Sequence, residues 1–198
     1  MGDYYERIVD VEATLEEAGR LAERMVDWLV SEGVITRELS DDGVFSHPVT
    51  EGYVRGPNWA RAVADSSNPD WLPRPVAVVV GRDYHVAGQG ADEAQYAVCP
   101  RCQAKTVVIN YPYEFERDDK VWQPFKDGIA AWKKTGEGSA PCPACGESAP
   151  ITEWQWAPGF ALGALAFDFW DWPELSDEFC TAFSEQLGHG IAQLGGKV

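Results

Sequence analysis

Four of the five cysteines stand in two pairs, 99-CPRC-102 and 142-CPAC-145. A C-x-x-C turn sets two thiols on one side. Two such turns supply four sulfurs, the number a tetrahedral zinc ion takes. Proline after the first cysteine of each pair pre-sets the turn, and Gly146 lets the backbone fold back behind the second. Cys99, Cys102, Cys142 and Cys145 are therefore candidate ligands of a structural zinc ion. Iron takes the same four thiolates, and the spacing leaves it open. A redox dithiol needs one pair at a helix N-terminus, not two pairs. With four protein ligands the metal has no position left for water, so such a site braces and does not catalyse.

The pattern resembles a zinc ribbon over residues 95–150. Ribbons act as protein or nucleic-acid contact modules, and the resemblance implies that kind of role. In ribbons about 15–20 residues separate the pairs; here residues 103–141, 39 in all, intervene. That insert holds a strand pattern, 105-KTVVIN-110, and a helix pattern, 124-PFKDGIAAWKK-134, with Phe125, Ile129 and Trp132 on one face. The metal would clamp the base of a strand–helix excursion. The ending 169-FWDWPELSDEF…EQLGHGIAQLGGKV-198 is similar to the tail of a family of small bacterial proteins of uncharacterised function, some labelled sugar-transporter ATPases. No G-x-x-x-x-G-K-[ST] phosphate loop supports that label, since 136-GEGSAPC-142 has no lysine after its glycines.

Other residues offer a second site. Trp154 and Trp156 are two apart, as are Trp170 and Trp172, so each pair would face one way along a strand. Asp168 and Asp171 lie among them. Aromatic platforms beside carboxylates suit a sugar or a cationic group; the alternative is a core face of packed indoles. His85, beside Asp83 and Tyr84, is a candidate for proton transfer or a hydrogen-bonded strand-end histidine. No G-x-S-x-G or H-E-x-x-H accompanies it. Gly88-Gln89-Gly90 starts like a dinucleotide loop, but Asp92 and Glu93 would repel a pyrophosphate. Cys180 reads as a small buried apolar residue.

The formal charge is −16, divided as −8 over residues 1–50, −2 over 51–98, +1 over 99–146 and −7 over 147–198. Acidic ends around a neutral segment suggest one unit set into another. They disfavour nucleic acid and anionic membranes; they are compatible with a basic protein partner, the alternative being that they serve solubility alone. The start, MGDYYERIVDVE, lacks the apolar core of a signal peptide. No run approaches the roughly 18 apolar residues of a membrane span. Paired thiols suit a reducing compartment, the cytoplasm.

The elements that must position these residues are legible at both ends. A strand over Arg7–Val11 precedes a helix capped by Thr14 with Glu17 three residues on, carrying Leu15, Ala18, Leu21, Ala22, Met25, Trp28 and Leu29 and stopped by Gly33. Residues 40–75 read as irregular. 76-VAVVV-80 is a buried strand, with a turn at Gly81-Arg82-Asp83 into 84-YHVA-87, and 95-QYAV-98 is a further strand. 152-TEWQW-156 alternates, and 161-ALGALAFDF-169 reads as a central strand. Next comes a helix capped by Asp171 or Ser176, with Pro173 near its first turn, that buries Phe179, Phe183 and Leu187 and ends at Gly188. A strand over Gly190–Leu194 closes the chain. The expected fold is α+β, helices on one face of a mostly antiparallel sheet, with a ferredoxin-like split arrangement as one form. Residues 1–98 and 147–198 would form a discontinuous domain receiving the ribbon-like insertion 99–146.

Together these features point to a non-enzymatic, zinc-braced, acidic protein-interaction domain, in one form an inhibitor or immunity-type protein. The alternative is a small-molecule binder or enzyme, for a sugar for example, with Asp168, Asp171, Trp154, Trp156, Trp170 and His85 lining its pocket. A third is a nucleic-acid-associated ribbon using Lys105, Lys120, Lys126, Lys133 and Lys134, weakened by Glu116, Asp118 and Asp119 among those lysines.

Overall fold

The computed structural model describes residues 3–68, 71–88 and 92–197. In chain order the elements are β1 (Tyr4–Asp10), α1 (Leu15–Ser31), β2 (Ile35–Ser40), β3 (Gly52–Arg55), β4 (Val76–Val86), β5 (Tyr96–Val98), β6 (Lys105–Val107), α2 (Asp119–Thr135), β7 (Ser139–Pro141), β8 (Ser148–Pro150), β9 (Gln155–Trp156), β10 (Phe160–Trp170), α3 (Asp177–Leu187) and β11 (Ile191–Lys197). The class is α+β with mostly antiparallel pairing. None of the described helices is long and apolar enough to cross a membrane. The chain divides into two compact units: Met1–Gly81 with Ala87–Gln89 and Gly163–Val198, and Arg82–Val86 with Gly90–Leu162.

The first unit is built on the six-stranded sheet β11-β1-β10-β4-β3-β2. Strand β1 is antiparallel to both β10 and β11. β10, α3 and β11 thus form a split βαβ unit around β1. The full ferredoxin-like order is not reached, because β4 and β3 stand between β10 and β2. Alternation along the strands sorts the two faces. Ile8, Leu165, Phe167 and Phe169 pack with Leu21, Met25 and Leu29 of α1 and Phe179, Phe183 and Leu187 of α3. Each large side chain buried there contributes on the order of 2 kcal/mol. Tyr5, Ala77 and Trp170 form a separate cluster, covered by Val44 and Val49 from the 41–51 loop. Both helices therefore lie on one face of this sheet, and a loop covers the other. The caps are local and complete. Thr14 accepts from Glu17 N (3.4 Å) and donates to its carboxylate (2.7 Å). Ser176, not Asp171, caps α3.

Several segments differ from the sequence pattern. β4 runs unbroken through Gly81, whose φ of 147° keeps the chain extended where a turn was expected. Its sheet neighbour β10 is equally long, 11 residues, and every one of those is buried. Residues 40–75 are not wholly irregular: β3 and a 3-10 turn at Trp59–Ala62 lie among them. α2 begins ahead of Pro124, because Asp118 caps it by accepting from Lys120 N (2.9 Å) and Val121 N (3.3 Å). That extra turn places Trp122 on the buried face beside Phe125, Ile129 and Trp132.

The second unit holds the sheet β6-β5-β9 and the hairpin β7-β8. Its core is aromatic: Trp122, Phe125, Trp132, Trp154 and Phe160 pack with Ile129 and Ile151. Helix α2 approaches β7 so closely that a Cβ on Gly128 would lie 2.6 Å from the Ser139 carbonyl oxygen. Glycine in mid-helix costs about 1 kcal/mol; here it permits that approach.

Candidate metal centre

Each cysteine pair forms the tip of a β-hairpin. Cys99-Pro-Arg-Cys102 joins β5 to β6, and Cys142-Pro-Ala-Cys145 joins β7 to β8. The two tips are built alike. Cys99 N donates to Ala104 O (3.0 Å) and Gln103 N to Cys99 O (3.0 Å). In the second tip Cys142 N donates to Glu147 O (2.9 Å) and Gly146 N to Cys142 O (2.8 Å). The residue after each pair takes a left-handed backbone, φ 61° at Gln103 and 77° at Gly146. Glycine adopts that conformation freely and glutamine does not. The two hairpins therefore reach the same knuckle, one with the favoured residue and one without it.

In both knuckles the first cysteine is buried and the second exposed. One ligand atom from each of the four cysteines lies within 4.8 Å of all the others. Cys102 Sγ and Cys142 Sγ are 3.7 Å apart. That is far beyond the roughly 2.05 Å of a disulfide. Four sulfurs at about 2.3 Å from a central zinc ion stand about 3.8 Å from one another at the corners of a tetrahedron. The donor set and its spacing fit such an ion. The Arg101 N–H also points to Cys99 Sγ (3.4 Å), so the turn supplies a donor to that sulfur as well as shaping the chain. The thiols influence one another. Burial pushes the Cys142 thiol up, but N–H groups of Cys145 and Ala144 and the thiols of Cys99 and Cys145 outweigh it and bring it down to about 7. At Cys102 the Ala104 N–H lowers the thiol, but desolvation and contacts with Cys145, Cys142 and Cys99 carry it up to about 12. A divalent cation held among the four sulfurs would favour their thiolate forms.

The remaining candidate residues fall into both units. Asp168, Trp170 and Asp171 belong to the first; His85, Trp154 and Trp156 belong to the second. Asp168 is completely buried. It pairs with Arg7 directly across the β1–β10 ladder, with Arg7 Nη2 at 2.7 Å and Nε on its other oxygen. Ser46 Oγ donates to the same carboxylate and accepts from Trp170 Nε1 (2.8 Å). Asp168 is thus satisfied within a structural network. Asp171 accepts from Tyr4 N (3.1 Å) and pairs with Arg74 (2.8 Å). Trp170 and Trp172 do not face one way. Asp171 between them is left-handed (φ 52°), which ends the strand alternation and turns Trp172 into the helix-side core against Phe169. Trp154 and Trp156 both pack edge-on to Phe125. His85 is buried in β4. Of the Gly88-Gln89-Gly90 loop, Gln89 and Gly90 lie outside the described residues, as does Ala91. Arg7 and Ser46 carried no motif; only the sheet register and the 41–51 loop bring them to Asp168.

Comparison with protein-family models, with curated proteins and with solved structures finds no match to this chain.

Proposed function

We propose that this chain is a protein-interaction module whose second unit is braced by a structural zinc ion held by Cys99, Cys102, Cys142 and Cys145. One observation carries the proposal: four sulfurs, offered by two matched hairpin tips, lie within 4.8 Å of one another, with the Cys102 and Cys142 sulfurs 3.7 Å apart, close to the edge of a tetrahedral thiolate shell. A shell filled by four protein ligands stabilises and does not activate water. It locks β5–β6 to β7–β8 and so fixes the ends of the 39-residue excursion. The charge of −16 supports a basic protein partner over nucleic acid or membrane. The thiolates suit the reducing cytoplasm. The test is native mass spectrometry with elemental analysis, on the parent and on the Cys142→Ser/Cys145→Ser variant. We expect one zinc per parent chain, and loss of both metal and thermal stability in the variant. A variant that melts like the parent overturns the brace, and one iron per chain overturns zinc.

A cavity of about 420 Å³ in the second unit, lined by Tyr84, Trp122, Lys126, Ile129, Lys133 and Lys134, favours small-molecule binding as a second reading. A co-purified organic mass in the same spectrum would favour it.

A further inference from the structure

The second unit buries or half-buries its aromatic residues except on one loop. Between β6 and α2 the chain exposes Tyr111 (59%), Tyr113 (84%) and Phe115 (77%) within five residues. The loop that carries them is built. Tyr113 N (2.9 Å) and Glu114 N (3.0 Å) donate to Asn110 O, and Asp118 N donates to Val108 O (2.8 Å), closing its base. Arg117 anchors it from below, bonding Asp119 (2.7 Å), Glu93 (2.9 Å) and Asp92. Tyr111 and Phe115 stand edge to face, 5.6 Å between centroids. Glu114 and Glu116 sit among these rings and make no ion pair among the described residues. Asp118 is engaged as the α2 cap. The one base of the loop is thus consumed by its anchor, while two carboxylates and three rings face outward.

Exposed clustered aromatics mark contact surfaces, and tyrosine is enriched at the centres of interfaces. The chemistry of this cluster selects its occupant. A guanidinium stacks on an aromatic face and takes a carboxylate on its edge, so arginine satisfies both kinds of group at once. A phosphate backbone would meet Glu114 and Glu116 with like charge. We propose that Tyr111, Tyr113 and Phe115, with Glu114 and Glu116, form the partner-binding hook of this protein and take an arginine-bearing segment of a basic protein. The inference rests on the interaction-module reading above and gives that module its contact surface, at the tip of the excursion whose ends the cysteine knuckles hold.

The test uses the full zinc-loaded chain and three short synthetic peptides at physiological ionic strength: one alternating Arg and Gly, its Lys counterpart and its citrulline counterpart. Binding is read by fluorescence anisotropy. Tyr113→Ala/Phe115→Ala removes exposed rings without changing the net charge, so bulk electrostatics predicts no effect. We expect it to weaken the Arg peptide by about fivefold or more, the worth of two stacking contacts. We also expect Arg to bind more tightly than Lys, and citrulline least. Unchanged binding in the ring variant overturns the hook but leaves a basic partner standing. No binding of either cationic peptide overturns both. Equal Arg and Lys affinities overturn guanidinium stacking. A dimer of the parent in sedimentation that the ring variant abolishes assigns the surface to a second copy and overturns the arginine-bearing occupant.

Discussion

Replacing Gly146 by alanine tests whether knuckle geometry sets metal affinity. Gly146 has φ 77°, and a Cβ built there meets nothing within 4 Å. The substitution therefore introduces no clash, and its cost is that of a left-handed residue alone, roughly 1–2 kcal/mol. Restricting the unfolded chain returns about 0.4–1 kcal/mol. The net loss is about 1 kcal/mol. Because a structural metal binds only the folded knuckle, the same loss appears as about fivefold weaker zinc affinity. The other knuckle supplies an internal control. Gln103 is left-handed in the equivalent place, and its side-chain amide donates to the Pro100 carbonyl (3.3 Å). Pro143 occupies the matching position of the second knuckle. Gly146→Gln can make the same bond, worth about 0.5 kcal/mol when exposed, so it should cost less than Gly146→Ala. Chelator competition against a chromophoric zinc indicator measures the affinities, and urea unfolding with stoichiometric zinc measures the stabilities. An alanine variant that binds zinc like the parent, or a glutamine variant weaker than alanine, would refute the strain argument.

Asp168→Asn removes the counter-charge of Arg7 from a buried pair and should cost about 3–5 kcal/mol in urea unfolding; a loss under about 1 kcal/mol would show that the pair does not hold β1 to β10. Burial lifts the Glu6 carboxyl to about 7, with a Gln193 hydrogen bond opposing and Glu174 adding to the shift. Its folded pKa lies above the unfolded value, so between about pH 4.3 and 7 the folded state keeps a proton that the unfolded chain has released. The stability this contributes is full at lower pH and lost as pH rises through 7. Glu6→Gln should therefore gain on the parent by about 1–2 kcal/mol more at pH 8 than at pH 4, after allowance for partial solvent access; a gap between the two urea midpoints that does not change with pH would refute it.

Where local chemistry sufficed, the elements were legible. Thr14 with Glu17, Ser176 before an apolar period, and Gly33 and Gly188 after one give the bounds of α1 and α3, and each signal acts within a single turn of chain. The α+β class follows because strand–helix material stands at each end of the chain and hairpins in the middle. What failed depended on distant partners. Gly81 reads as a turn signal until a strand as long as β10 lies beside it to keep it extended. Pro124 reads as a helix start, since proline favours that position. The helix starts earlier because Asp118 caps it and Trp122 gains a core to enter. Trp170 and Trp172 read as one face because alternation assumes an unbroken strand, and the left-handed Asp171 breaks it.

The same distinction separates the two proposed sites. Four thiols are legible because a metal demands particular atoms, and C-x-x-C supplies them within one turn; only the pairing of the turns is long-range, and two pairs in one chain leave little choice. Arg7 and Ser46 cannot be tied to Asp168 without the register that sets Arg7 opposite Asp168. The hook at Tyr111–Phe115 is the reverse case. Its residues are adjacent in sequence, yet aromatic residues in a chain with 24 of them read first as core. Their exposure shows only when the loop closes at Val108–Asp118 and leaves them outside. Composition gives the aromatic content of the chain, and the backbone decides which rings the second unit places in its core and which it leaves exposed.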